Sequence, residues 1–218
     1  MMNLKALGSV MLGLSFAATS AALAASATVG QAAPAFSAID ASGKPVALAD
    51  FLGRTVVLEW VNPECPYVRK HYGSANMQAT QKAATAKGVV WLSVNSTHAS
   101  HGDFKAPAEM AAWTRQQGAV PSATLMDGEG KIGRAYGART TPHMYVIDAK
   151  GTLVYAGGID DKPSANPADV KTAKNFVNAA LADMQAGKPV APSATRAYGC
   201  SVKYSDGFAF DRISYRSG

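Results

Sequence analysis

The stretch from Asn62 to His71, NPECPYVRKH, carries the chain's most reactive combination of residue types. It holds Cys65, one of only two cysteines in 218 residues, with Pro66 directly after it and Arg69, Lys70 and His71 within six positions. A thiol acts as a nucleophile only as its thiolate, and both a helix N-terminus and nearby cations favour that charge. Pro66 suits a first helical position, where its missing N–H loses no hydrogen bond. The apolar, β-branched run 55–61 before it reads as a buried strand, so Cys65 is expected at a strand-to-helix seam. Arg69, four residues on, is expected on the same helix face as the thiol, where it would lower the thiol pKa; Lys70 and His71 add positive field but point further round. The competing reading is a buried, inert cysteine. Against it, a core cysteine is not usually followed by Pro-x-x-Arg-Lys-His.

The second cysteine, Cys200, stands 135 residues away in the sequence AYGCSVKY. In an oxidising compartment the two thiols can form a permanent staple or a reversible pair. The compartment is suggested by the first residues. Lys5 precedes a long stretch of apolar and small residues that ends in Ala22-Leu23-Ala24, the pattern of a signal-peptidase site. Residues 1–25 are therefore read as a cleaved signal peptide rather than a retained membrane anchor, and the mature protein as periplasmic or secreted, with no membrane partner after cleavage. The net charge is +6, and the basic residues are scattered rather than gathered into a stripe with aromatics, which argues against nucleic acid.

Other polar groups are weaker candidates. His98, His101 and Asp103 in THASHGD, taken with Cys65 and Met144, could be imagined as a soft-metal site, so a copper- or partner-binding module without turnover is the alternative function. A polar loop explains the same residues, and neither a metal nor a cofactor is expected. Asp160 and Asp161 read as a loop-fixing pair, and Trp60, Trp91 and Trp113 as packing residues. The segment GEGKIG is too short for a phosphate loop.

The elements that must position Cys65 follow from periodicity and punctuation. A hairpin is expected near 36–48, a strand at 55–61, a helix from Pro66 interrupted at Gly73-Ser74 and resumed to Gly88, and a strand at 89–95. A helix at 107–118, a short strand at 123–127 and a helical turn at 130–137 come next. Residues 140–148 and 152–160 form a hairpin, and 167–189 reads as one helix with apolar residues at Val170, Ala173, Val177, Ala180, Leu181 and Met184. The alternation predicts an α/β fold with a mixed central sheet in a single domain, 26–188, followed by a tail, 189–218, that carries Cys200.

Taken in order, several segments resemble the thioredoxin-fold redoxins, the group that contains the peroxiredoxins (the alkyl hydroperoxide reductase–thiol-specific antioxidant family) and periplasmic thiol-disulfide oxidoreductases. The segments are APAFSAIDASGKPVALADFLGRTVVLEWV from Ala33, CPYV with Lys70 and His71 at the site, TTPHMYVIDAKGTLVYAGGIDD from Thr140, and GCSVKY from Gly199. The resemblance runs from about residue 29 to 204. It implies a three-layer α/β/α fold with a peroxiredoxin-like N-terminal extension. Cys65 would be the nucleophile of a thiol-disulfide oxidoreductase or thiol peroxidase, helped by Arg69. Pro142 would be a cis-proline, with the Thr141 backbone facing Cys65 and hydrogen-bonding an extended peptide or mixed disulfide. Asn62, Pro66 and His143 would flank the substrate, His143 as a proton shuttle, unless strand alternation turns it away.

Departures from the family pattern matter equally. Where a Cys-x-x-Cys partner would stand, this chain has Asn62 or Val68, depending on register. Where peroxiredoxins place Pro and Thr before their cysteine, it has Leu58 and Asn62, so the usual peroxide-binding hydroxyl is missing. Cys200 is then the expected resolving thiol, closing an intramolecular disulfide. A structural bridge and a bond to another chain are the other possibilities. Expected partners are a small hydroperoxide or a protein thiol or disulfide, with an external thiol as electron donor.

Overall fold

A computed structural model of the chain describes residues 27–205; the expected signal peptide lies outside them. Nine strands are described: β1 (Ser37–Asp40), β2 (Pro45–Ala47), β3 (Val56–Trp60), β4 (Val90–Asn95), β5 (Ala123–Met126), β6 (Thr140–Thr141), β7 (His143–Ile147), β8 (Leu153–Gly157) and β9 (Cys200–Ser201). The α-helices are α1 (Pro66–Gly73), α2 (Asn76–Thr85), α3 (Pro107–Gln116), α4 (Lys131–Tyr136) and α5 (Phe176–Gln185). Seven strands make one sheet in the order β2-β1-β5-β4-β3-β7-β8. β3, β4 and β5 run parallel, and β7, β8, β1 and β2 are antiparallel to their neighbours, so the expected mixed sheet is present.

Strict alternation along the central strands sorts the core into two layers. Val57, Trp91, Met144 and Val146 face one side, where they pack with Cys65 and with Val68, Met77, Met110 and Val177 from four helices. Leu58, Trp60, Leu92, Val94 and Tyr145 face the other, against Ile132 and Tyr136 of α4 and against Val29 and Phe36 of the N-terminal extension. Helical layers on both faces give the three-layer architecture. Among the described residues no helix is long and apolar enough to cross a membrane.

The expected single helix at 167–189 is corrected. A 3-10 turn at Pro167–Thr172 precedes α5, and the chain between them is extended. Asn175 causes the break in two ways. Its side chain accepts from the Asn178 amide at 2.9 Å and caps α5, while its backbone bridges to Asp160. The periodicity through 167–174 gave no warning of a tertiary contact at Asn175. Between α1 and α2 the expected interruption falls at Ser74–Ala75, with Ala75 left-handed at φ 59°.

One polar group lies deep in the Cys65-facing layer. Glu59 on β3 is fully buried and accepts from Tyr72 Oη (2.7 Å), Trp91 Nε1 (2.8 Å), Ser93 Oγ (3.1 Å) and Gln81 Nε2 (3.1 Å). Burial pushes its pKa above the ordinary carboxylate range, although each of those donors favours the charged form. The knot ties α1, α2 and β4 to β3 and so fixes where the β3–α1 seam lies. Glu59→Gln turns an amide towards donors, and is expected to cost about 1–3 kcal/mol in urea unfolding. Because the folded pKa is raised, wild type loses stability as pH climbs above the unfolded carboxylate value, and the variant does not. The gap between the two should therefore narrow as pH rises above the ordinary carboxylate range.

Candidate active site

Cys65 is the N-cap residue of α1, with Pro66 at the first helical position as the sequence suggested. The turn that delivers it is built by Asn62. The Asn62 carbonyl accepts from the Cys65 amide at 3.1 Å, and its side chain accepts from the Glu64 amide at 2.8 Å and donates to Asp103 at 3.0 Å. Asn62 is thus committed to shaping the loop, and its amide is not free for a substrate. Pro66 is exposed at the helix entry.

The Thr141–Pro142 peptide is cis. This turn brings the Thr141 carbonyl over the cysteine, where Cys65 Sγ donates to it at 3.0 Å. Thr141 Oγ1 is buried and makes no hydrogen bond, and its nearness favours the charged form of the sulfur. Against the Thr141 backbone lies the tail. β9 pairs antiparallel with β6, with Cys200 directly opposite Thr141 and Ser201 opposite Thr140. Gly199 makes the approach possible: at φ +142°, a Cβ there would collide with the Thr141 carbonyl. Both cysteines are free thiols in this arrangement, and their side chains interact.

The two thiols have opposite acidities. Burial pushes Cys65 up, but the Cys200 thiol, the Thr141 hydroxyl and the amides of Val68 and Cys200 outweigh it and leave its pKa below the ordinary value. Burial pushes Cys200 up to about 12, and the neighbouring Cys65 adds to that shift; Lys203 and the Tyr67 amide oppose it weakly. Both sulfurs lie at the N-terminal end of α1, where the nearby amides of Val68 and Tyr67 favour the charged forms of Cys65 and Cys200 respectively, although the Cys65 side chain makes no cap hydrogen bond. Cys65 is the more acidic of the two, and Cys200 stays protonated beside it.

Two expected site residues are placed elsewhere. Arg69 does not reach the thiol: its exposed side chain pairs with Glu64 and donates to the Pro63 carbonyl at 3.1 Å. The shared-face argument failed because Cys65 is the cap, outside the helical turn that would align it with Arg69, and Glu64 is a nearer anion. His143 begins β7 on the face opposite Met144, stacked on Tyr145 with ring centroids 4.6 Å apart. Its Nδ1 accepts from the Arg139 amide at 3.2 Å, and burial, with help from the Arg139 charge, lowers its pKa to about 3. It stays neutral near pH 7 and looks away from the thiol layer, as strand alternation allows.

Sequence reasoning missed Lys70 and His71 as interior groups. Both side chains are fully buried, next to Asp160 and Tyr198. The signal was the amphipathic reading of α1 itself, because Cys65, Val68 and Tyr72 on one side leave Lys70 and His71 facing the tail. Asp161 does fix the loop, accepting from the Lys174 amide at 2.8 Å, whereas Asp160 is an interior anchor. Glu59 was also missed, although a lone charge inside VVLEWV marks it. For the metal alternative, among the described residues no three His, Cys, Asp or Glu side chains converge.

The AhpC/TSA family model matches residues 29–156, more than half of the chain, and the protein belongs to that family. It is a thioredoxin-fold redoxin. A solved structure of an uncharacterized conserved protein from Geobacillus kaustophilus is 25% identical over 82% of this chain and 93% of that one, with a TM-score of 0.72. A hypothetical protein from Sinorhizobium meliloti 1021 is 24% identical, covering 84% and 97%, with a TM-score of 0.71. A putative thiol:disulfide interchange protein DsbE from Chlorobium tepidum is 27% identical over 60% of this chain and 85% of that one, with a TM-score of 0.49. No curated protein matches the sequence. The family match ends before Asp160, Tyr198 and Cys200, so what these residues do must be argued from this chain.

The opposed acidities are open to titration. Thiolate absorbance of the reduced protein should rise first from Cys65, with a midpoint below that of an ordinary cysteine. In Cys200→Ala that midpoint should move up, because a donor to the thiolate is lost.

Proposed function

We propose that the protein is an extracytoplasmic thiol oxidoreductase that cycles between the dithiol and a Cys65–Cys200 disulfide. The observation that carries this reading is the seating of Cys200 opposite Thr141, beside a Cys65 whose acidity is raised. The membership of the AhpC/TSA family supports it, and so does the signal peptide expected at residues 1–25.

With a disulfide substrate, the Cys65 thiolate attacks one sulfur, forms a mixed disulfide and expels the other sulfur as a thiolate. Cys200 then loses its proton and attacks the Cys65 sulfur, which closes the internal disulfide and expels the second substrate thiol. With a hydroperoxide, the thiolate attacks the terminal oxygen to give Cys65 sulfenic acid and an alcohol, or water from hydrogen peroxide. Cys200 condenses with the sulfenic acid and releases water. In both cases an external dithiol restores the pair by exchange and leaves oxidised. The Thr141 carbonyl and the cis-Pro142 turn define the edge along which the attacked sulfur or oxygen approaches. The burial of Cys65, 2% exposed under β9, favours the hydroperoxide as the smaller oxidant.

Single-turnover oxidation tests the assignment of roles. With either glutathione disulfide or hydrogen peroxide, Cys200→Ser should stop at a Cys65 adduct, a mixed disulfide or a sulfenic acid trapped by dimedone. Cys65→Ser should lower consumption of both oxidants by at least about a hundredfold, the scale of losing an activated nucleophile. Consumption at the wild-type rate by Cys65→Ser would refute the reading. The relative rates of the two oxidants on wild type decide the substrate.

A further inference from the structure

Tyr198, two residues before Cys200, inserts its phenol into a buried polar cluster that the chemistry above does not use. Its Oη donates to Asp160 Oδ1 at 2.5 Å and is approached by His71 Nε2 at 3.1 Å and Lys70 Nζ at 3.3 Å. The proton pattern is determined by the outer partners. Asn76 Nδ2 can only donate, so at 2.9 Å it makes His71 Nδ1 an acceptor, which leaves Nε2–H to donate to the phenol oxygen. That requires neutral His71, in line with a pKa lowered to about 4 by burial, with Lys70 adding to the shift and Asp160 opposing it. Lys70 Nζ also donates to the Lys162 carbonyl at 2.7 Å, lies 3.8 Å from Asp160 Oδ2 and sits 5.3 Å from the centre of the Tyr198 ring. Lys70 and His71 belong to α1, the same helix that Cys65 caps, and Asp160 to the loop after β8.

Outside this seat, the strand that covers Cys65 is held at its flanks: upstream, Thr195 donates to the Ala156 carbonyl and accepts from the Gly158 amide, and downstream Arg134 lies over the Tyr204 ring. β9 has two residues, and the backbone bonds of its far side run from Val202 to the Arg139 carbonyl and from His98 to the Lys203 carbonyl. Tyr204 Oη anchors the other end on the Ala138 carbonyl at 2.9 Å. Cys65 itself is buried.

We propose that the cluster of Lys70, His71, Asp160 and Tyr198 is a latch that holds β9 shut over Cys65, with Tyr198 as the residue that seats Cys200. When the phenol leaves its seat, β9 lifts from Thr141 and uncovers both the nucleophile and the backbone edge that a polypeptide substrate or thiol reductant would take. When it returns, Cys200 is carried back to Cys65 in register for closure. A protein partner thus reaches Cys65 only through the open form. The inference takes from the proposed function the identity of the working thiols, but its test does not depend on turnover.

The test uses the full chain, reduced, as wild type and Tyr198→Phe, which keeps the ring and its edge contact with Tyr67. Alkylation by N-ethylmaleimide is followed at Cys65 by peptide mapping, alongside amide hydrogen exchange. The latch predicts that Cys65 labels about tenfold faster in the variant, the scale of losing a buried hydrogen bond. Exchange should rise in 196–204 and remain unchanged in β3, β4 and β7. Equal labelling rates would overturn the proposal. So would faster exchange throughout the sheet, which would make Tyr198 a general stability residue. If the variant fails to fold, wild type alone suffices: Cys65 labelling and Val202 amide exchange should report one opening equilibrium, and labelling of Cys65 only by global unfolding would refute the latch. If oxidation does not join Cys65 to Cys200, the proposed function falls while the labelling result stands.

Discussion

The site depends on one constraint: two sulfurs must share the N-terminus of α1 and the Thr141 backbone. The positive end of a helix favours negative charge, and here both Cys65 and Cys200 lie close enough to it for its amides to favour their charged forms. Several otherwise unrelated features serve that placement. The Asn62 turn sets the cap, the cis-Pro142 turn lowers a carbonyl onto Cys65, and Gly199 lets a second backbone pass close to Thr141. The core supports it from below. Glu59 ties β3 to the helices that carry the site, and the alternation of β3, β4 and β7 keeps Cys65 in an apolar layer.

Sharing the helix end also explains why the two thiols differ. A charge on one sulfur raises the cost of a charge on the other, so the pair holds one proton readily and the second tightly. Cys65 has the better donor set and takes the charge; Cys200 answers with a raised pKa. That asymmetry suits sequential chemistry, in which one sulfur attacks first and the other is deprotonated only at the resolving step. No nearby arginine is needed, and Arg69 is engaged at the surface by Glu64. Lys70 and His71, which the sequence offered as added positive field pointing further round, lie against Tyr198 of the tail.

Most of the fold was legible in the sequence, because strand alternation, Pro at helix starts and Gly at helix ends are local signals. Residues Val56–Trp60, Val90–Asn95 and His143–Ile147 fall where the apolar runs placed them, and Cys65 stands at the predicted seam. What was not legible is long-range. Nothing local to Asn175 announces that its backbone bridges to Asp160, so a helix was expected across the break. Nothing near Arg69 says that Glu64 captures it, and the inward turn of Lys70 depends on Asp160, ninety residues later in the chain. The tail had almost no periodic signal, yet it supplies the second sulfur, because a two-residue strand is defined by its partner rather than by its own sequence. The family match, which ends at residue 156, likewise stops short of it.

The central claim is that Cys65 and Cys200 form a reversible redox pair. The most direct test is the intact mass of reduced protein after one equivalent of hydrogen peroxide, followed by peptide mapping and then by a dithiol. The account predicts rapid loss of both thiol hydrogens, a cross-linked peptide joining Cys65 to Cys200, and full return of the mass on reduction. Slow oxidation without that cross-link, or a cross-link that mild dithiol leaves intact in the folded protein, would contradict it.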